Sequence, residues 1–166
     1  FRGKRRRHLS RSADTANPAL YLHVPYCRSR CTYCDFNAYQ LNDEPGSAFS
    51  DYAEALVADI RNSPPRQVST VFWGGGTPSL MPVEHLARIF EVLDQVHPRD
   101  PGEEHTIEVN PGTVSERGME QYLKLGINRL SMGAQSFEEE HLRLVGRIHT
   151  ADQIESCVKY ARRAGF

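Results

Sequence analysis

The sequence predicts an α/β fold built on a parallel sheet. Short runs rich in β-branched and aromatic residues alternate with longer segments whose apolar residues recur every three to four positions. Each run ends in glycine or turn chemistry. Four such pairs follow one another, and consecutive βα units of this kind form a parallel sheet with helices outside it. In these folds ligands bind at the C-terminal edge of the strands.

Ala19–Val24 is the first strand, stopped by Pro25. Residues 50–61 carry Tyr52, Leu56 and Ile60 at a spacing of four, with Val57 beside them, and predict an amphipathic helix. Residues 68–73 form the second strand, closed by three glycines. Residues 82–96 predict a helix, with Pro82 suited to its first turn and Leu86, Ile89, Phe90 and Leu93 on one face. Residues 105–109 are the third strand, closed by Asn110-Pro111-Gly112. Ser115 caps a helix that runs to Leu125 and stops at Gly126. Residues 127–132 are the fourth strand. A short helix is expected over 138–144, and a longer one over Ala151–Ala164, capped by Thr150 and ended by Gly165. Residues 42–47 and 98–104 read as surface loops.

At 166 residues the chain can hold one domain with a real core. No apolar run approaches the roughly 20 residues of a membrane span. The net charge of −1 hides an asymmetry. Residues 1–18 form a basic head in which Arg2, Lys4, Arg5, Arg6, Arg7 and Arg11 precede the first acid, Asp14. Beyond these six, 14 basic residues face 21 acidic ones, a net of −7 that argues against nucleic acid as the main partner. The head reads as a disordered tail, as the remnant of an organelle transit peptide, or as a nucleic-acid or lipid patch. Four cysteines clustered three-plus-one do not form a secreted disulfide framework. A reducing compartment, cytosol or mitochondrial matrix, fits them better.

The chemistry gathers where the strands end. After the first come Cys27, Cys31 and Cys34, spaced C-x3-C-x2-C. Three thiolates leave one iron of a four-iron cube open to a small molecule, whereas a closed structural site takes four ligands. Zinc with His23 as a fourth ligand, or free thiols, are the alternatives. After the second strand, Gly74-Gly75-Gly76-Thr77-Pro78 permits close backbone approach to a ligand, or makes a plain turn. It matches neither the dinucleotide fingerprint nor a P-loop. Glu108 and Asn110 end the third strand. Glu108 reads as an acceptor for a ribose or an ammonium, or as a rim charge. Gln135 and Ser136 follow the fourth strand. Arg147 is either a bidentate partner for a carboxylate or a surface arginine. Tyr33 stacks on a flat base or packs over its own loop. Cys157 and His149 read as packing residues.

Five strings carry a resemblance: YLHVPYCRSRCTYCDF, FWGGGTPS, IEVNPGT, GINRLSMGAQSF and GRIHTADQ. Together they resemble the radical S-adenosylmethionine superfamily. Within it they resemble the branch holding the oxygen-independent coproporphyrinogen III oxidases, the HemW haem chaperones and the mitochondrial radical S-adenosylmethionine domain-containing proteins of animals. The likeness covers residues 20–166. The oxidases carry a further Cys two residues after the last cluster Cys. Here that position is Phe36, which favours the chaperones.

The resemblance implies the N-terminal part of a partial (βα)6 TIM-like barrel, with four of its βα units in residues 19–166. It implies a 4Fe-4S cluster on Cys27, Cys31 and Cys34, whose open iron chelates S-adenosylmethionine. Tyr21 and Tyr33 are expected beside that cofactor, Gly75, Gly76 and Thr77 along its methionine end, and Glu108, Gln135 and Arg147 as polar contacts. In active relatives the reduced cluster cleaves a C–S bond of S-adenosylmethionine to give a 5′-deoxyadenosyl radical. The chaperone reading implies haem as cargo and haem-acceptor proteins as partners, no nucleic acid, and a mitochondrial location, with the cytoplasm as alternative. The family's histidine-bearing haem motif is not among these residues, so haem binding is expected from residues outside them. The sequence reads as the front of a longer protein, or as a shortened isoform unable to complete the fold.

Overall fold

The computed structural model describes residues 17–41 and 45–166. Nearly all of the basic head, and part of the loop expected at 42–47, lie outside them. In chain order the elements are β1 (Ala19–Val24), β2 (Tyr26–Cys27), β3 (Tyr39–Gln40), α1 (Pro45–Asn62), β4 (Val68–Gly75), a 3-10 turn (Pro78–Leu80), α2 (Val83–Val96), β5 (Arg99–Val109), α3 (Glu116–Lys124), β6 (Arg129–Met132), α4 (Glu139–Leu144) and α5 (Ala151–Ala164). The main sheet has the order β1-β4-β5-β6, and every pairing is parallel.

Alternation along the strands separates two faces. One carries Leu22, Val24, Val71, Trp73, Ile107 and Val109, all at most 4% exposed, into a core with the helices. From α1 come Phe49, Ala53, Val57 and Ile60, and from α2 Leu86, Ile89, Phe90 and Leu93, each set at helical spacing. Fully burying such an aliphatic or aromatic side chain stabilises the fold by roughly 1.5–3 kcal/mol. The other face carries Tyr21 beside Phe72, His23 beside Gly74, and Glu108 beside Ser131. It is the polar face, and it leads into the site.

The caps follow the sequence. Ser115 Oγ accepts from Gly118 N–H at 3.2 Å, and Thr150 forms a capping box with Gln153. Gly165 closes α5 in the left-handed conformation, φ 115°. Four boundaries differ from expectation. Strand β4 runs on to Gly75 rather than stopping at Trp73, because Gly74 and Gly75 still pair with His23 and Val24 of β1. Helix α1 begins at Pro45 rather than 50, because proline suits a first helical turn, so residues 45–47 are helical and not loop. Strand β5 begins at Arg99, inside the expected loop 98–104. Arg99 pairs with Val68 and Glu104 with Thr70, and the residues between form a bulge that a loop-like composition permits. Strand β6 begins at Arg129 rather than 127, since Ile127 N–H still bonds to Tyr122 O at the end of α3.

Candidate functional site

The cysteine loop hangs on one short ladder and one further tie that the sequence did not reveal. Strand β2 pairs with β3, where Tyr39 N–H donates to Pro25 O at 2.6 Å and Leu41 N–H to Cys27 O at 2.8 Å. These bonds close the loop at its base. At its tip Thr32 N–H donates to Val145 O at 3.3 Å, tying the loop to the end of α4. Gly146 makes this approach possible: a Cβ there would lie 3.3 Å from Thr32 N and 3.5 Å from the Cys31 Cα. Cys34 N–H bonds back to Cys31 O, so the three thiols belong to one turn-rich loop.

Cys27, Cys31 and Cys34 are free and half-buried, and they line one cavity of about 210 Å³. The same cavity is lined by Tyr33, Gly75, Gly76, Thr77, Glu108, Gln135 and Arg147. Every strand end singled out in the sequence therefore meets there. Tyr21 does not line it. Its hydroxyl bonds to His23 Nδ1 at 3.1 Å and its ring stacks on Phe72, one step back on the same sheet face. A larger cavity of about 870 Å³ runs along edge strand β1 and α1, among Leu20, Leu22, Leu56 and Ile60. It holds no thiol and no glycine edge, so size does not mark the site; chemistry does.

The glycines serve contact. Gly75 (φ 114°) donates its N–H to Glu108 Oε2 at 3.2 Å. Gly76 lies flush on the backbone of β2: a Cβ would stand 2.6 Å from Tyr26 O. Burial pushes the Glu108 carboxyl up, partly offset by the Gly75 N–H and by His23. Gln135 is the one non-glycine residue with positive φ, 68°, among those described, spanned by an Ala134 O to Ser136 N–H bond of 2.9 Å. Such backbone costs about 1–3 kcal/mol and concentrates at functional sites.

Two donors reach the thiols directly. Thr77 Oγ1 donates to Cys27 Sγ at 3.6 Å, and Arg147 Nη1 to Cys31 Sγ at 3.3 Å. Burial pushes the Cys27 thiol up, and the Thr77 hydrogen bond opposes this. Arg147 Nε is buried and finds no acceptor among the described residues, a donor left over for a bound anion. Asn110, singled out at a strand end but given no partner from sequence, proves central. Its Nδ2 donates to Thr77 Oγ1 at 3.1 Å, and its Oδ1 accepts from Arg147 Nη2 at 2.6 Å. The string Asn-Pro-Gly read as a turn, and nothing in it announced these partners.

Three thiols on one loop, with two donors on them, have the ligand chemistry of an iron–sulfur group. Among the described residues no cluster of three or more His, Cys, Asp or Glu side chains is placed to hold a single metal ion. His23, weighed as a fourth zinc ligand, has both ring nitrogens engaged, by the Tyr21 hydroxyl and by Asn37 O at 2.9 Å. Cys157 is 2% exposed and packs in the core. His149 is buried, with Nε2 3.1 Å from Ala134 O, where it braces the loop before Gln135.

Comparison with known proteins agrees with this geometry. The Radical SAM superfamily model matches residues 21–166. The chain is 38% identical over 152 residues to the haem chaperone HemW of Escherichia coli (strain K12), covering 89% of this chain and 40% of that protein. It is 38% identical over 147 residues to the mitochondrial radical S-adenosyl methionine domain-containing protein 1 of Bos taurus, covering 87% of this chain and 33% of that one. The coproporphyrinogen III oxidase (HemN) structure from Escherichia coli superposes with a TM-score of 0.82 at 31% identity, over 91% of this chain and 36% of that one. The chain thus spans well under half the length of these relatives, and its fold is the N-terminal portion of their TIM-like barrel. With three thiols and four strand ends converging where the family model matches, the chain belongs to the radical S-adenosylmethionine superfamily.

Proposed function

We propose that Cys27, Cys31 and Cys34 hold a 4Fe-4S cluster, that S-adenosylmethionine binds across the adjoining rim, and that the intact protein is a haem chaperone. The cluster, when bound, would supply one-electron chemistry. The chain's own residues bind and orient. Gly75 and Gly76 offer a side-chain-free edge for the methionine end, and Thr77 continues it. Glu108 and Gln135 offer acceptors and an amide. Arg147 offers its unpartnered Nε to a carboxylate. Tyr33, 53% exposed on the cavity lip, offers a face for the adenine. Tyr21 stands one step back from the cavity, bonded to His23 and stacked on Phe72.

The observation that favours a chaperone over an oxidase is Phe36. It is 60% exposed and lines the cysteine cavity, where the oxidases carry a further Cys. A phenyl ring there presents apolar surface and no ligand. HemW relatives support the same reading, with haem as cargo bound outside these residues and passed to acceptor proteins. The bovine relative's mitochondrial name, together with the basic head, supports a mitochondrial location.

The test is anaerobic incubation of the reconstituted, intact protein with S-adenosylmethionine and coproporphyrinogen III, beside a haem titration followed by absorption. The expected result is haem binding without protoporphyrinogen IX. Formation of that product would overturn the chaperone reading and favour the oxidase.

A further inference from the structure

We propose that Asn110 is a positioning residue that aims two hydrogen-bond donors at two cluster thiolates and so sets the cluster's reduction potential. The inference rests on the cluster reading above. Its basis is a continuous path: Cys27 Sγ, Thr77 Oγ1, Asn110, Arg147, Cys31 Sγ.

The path has a direction, and Asn110 fixes it. A guanidinium only donates, so the Asn110 atom 2.6 Å from Arg147 Nη2 is the carbonyl oxygen. The atom facing Thr77 is then the NH2, which only donates. The Thr77 hydroxyl accepts from it, and its own proton is left to point at Cys27. Swapping either end of the amide would reverse this and take the proton away from the sulfur.

Asn110 is itself held. Its backbone N–H donates to Ser79 Oγ at 3.3 Å, and Ser79 bonds in turn to Thr113 at 2.6 Å. Arg147 is held by the same amide and by Gly133 O at 2.5 Å. Gly133 leaves room for the pair: a Cβ there would lie 3.0 Å from Arg147 Nη2 and 3.2 Å from Asn110 Oδ1. Hydrogen bonds to the ligand sulfurs favour the more negative, reduced cluster and raise its potential. Outer partners that orient such contacts tune a metal site without touching it.

Asn110→Asp keeps the shape and the acceptor toward Arg147 but removes the donor toward Thr77. The hydroxyl then donates to the new carboxylate and leaves Cys27. The reconstituted intact protein would be titrated potentiometrically without S-adenosylmethionine, with the reduced cluster read by electron paramagnetic resonance. Thr77→Val and Asn110→Asp should each lower the equilibrium constant for reduction about tenfold, ~59 mV for one electron. The added charge of aspartate would act whether or not Thr77 is present, so the double variant separates the two effects. In the Thr77→Val background Asn110→Asp should shift the potential by less than half its effect in the wild type. A shift of half or more, or none in the wild-type background, overturns the inference. Should Asn110→Asp fail to assemble a cluster, Thr77→Val and Thr77→Ser read the same donor: valine lowers the potential and serine restores it, and equal potentials overturn the inference. Failure of the wild-type protein to take up iron and sulfide overturns the cluster reading itself.

Discussion

Gly76→Ala tests how the glycine edge governs the cysteine loop. The added Cβ would stand 2.6 Å from Tyr26 O, 2.8 Å from its carbonyl carbon and 2.9 Å from its nitrogen. These are backbone atoms of β2, one residue before Cys27, and no rotamer change relieves them. Reaching ordinary contact at 3.4 Å moves that strand by about 0.8 Å. Two bonds cross this contact: Gly76 N–H to Val24 O at 2.8 Å and Thr77 N–H to Tyr26 O at 2.7 Å. Stretched by that amount they reach the edge of hydrogen bonding, at a cost of roughly 1–3 kcal/mol for the pair. That corresponds to a urea midpoint lower by roughly 1 M. Cys27 moves with Tyr26, so less than half the wild-type iron should be retained after anaerobic reconstitution. Gly102→Ala is the control. It lies at φ 80° with nothing within 4 Å, so it costs about 1 kcal/mol of backbone strain and leaves iron content unchanged. If Gly76→Ala reconstitutes fully and melts like the wild type, the close-approach account of the glycines is wrong.

Three further predictions concern charge and thiols. Glu108→Gln should loosen S-adenosylmethionine binding by roughly 10- to 100-fold in calorimetry, the loss of one charged hydrogen bond. Because burial raises the Glu108 carboxyl in the fold, its contribution to stability is full below the unfolded value and is lost as pH rises through the folded one. Gln should therefore leave stability at pH 7 equal or higher, and a destabilised variant with unchanged binding would refute the role. His105 is held down to about 3, chiefly by burial and then by Arg99, while Trp73 Nε1 donates to its Nε2 at 2.9 Å. Its contribution is present above the ordinary histidine value and is lost as pH falls from about 6.5 toward 3, by up to ~1.4 kcal/mol per pH unit. His105→Gln should flatten urea-derived stability between pH 5 and 6.5, and an unchanged slope would exclude His105 as its source. Cys31→Ala should abolish the broad absorption of the reconstituted centre. Cys157→Ala should keep it while costing about 1 kcal/mol of packing, and loss of the centre there would overturn the ligand assignment.

The parts of the fold legible in the sequence are those set by local rules. The apolar stripes of α1 and α2, the Ser115 and Thr150 caps and the glycine stops follow from spacing and side-chain chemistry alone. The start of β5 was not legible, because residues 100–103 have loop composition and are strand only through pairing with β4 on either side of a bulge. The β2–β3 ladder is two residues long on each side, too short for any periodicity, yet it fixes where Cys27 stands. Among the residues lining the cavity, Cys27, Cys31, Cys34, Gly75, Gly76, Thr77, Glu108 and Gln135 could be picked out because they lie at or just past the C-terminal end of a strand, whereas Arg147 follows α4 and stood out only by its chemistry. Tyr21 lies within a strand, on the sheet face that leads into the site but one step back from the cavity, a distance the sequence does not show. Asn110 stood in plain view at a strand end, but its importance depends on Thr77 and Arg147, 33 and 37 residues away.

That dependence explains why the site can be both precise and open. The helix-facing side of the sheet is dry and filled by Trp73, Ile107, Leu86 and Ile89, so the strand ends are held by a packed interior. The polar groups they carry are therefore positioned by elements that do not themselves touch a ligand. The cysteine loop has no such interior. It is tied at its base by β2 and β3, at its tip by Val145, and across the cavity by Thr77 and Arg147. Three of these four ties involve residues far along the chain, so the loop can reach its geometry only after β4, β5 and the α4 turn are in place. A multi-iron group assembled on it would then stabilise the folded arrangement and not the unfolded chain, so metal loading and folding stability should rise together.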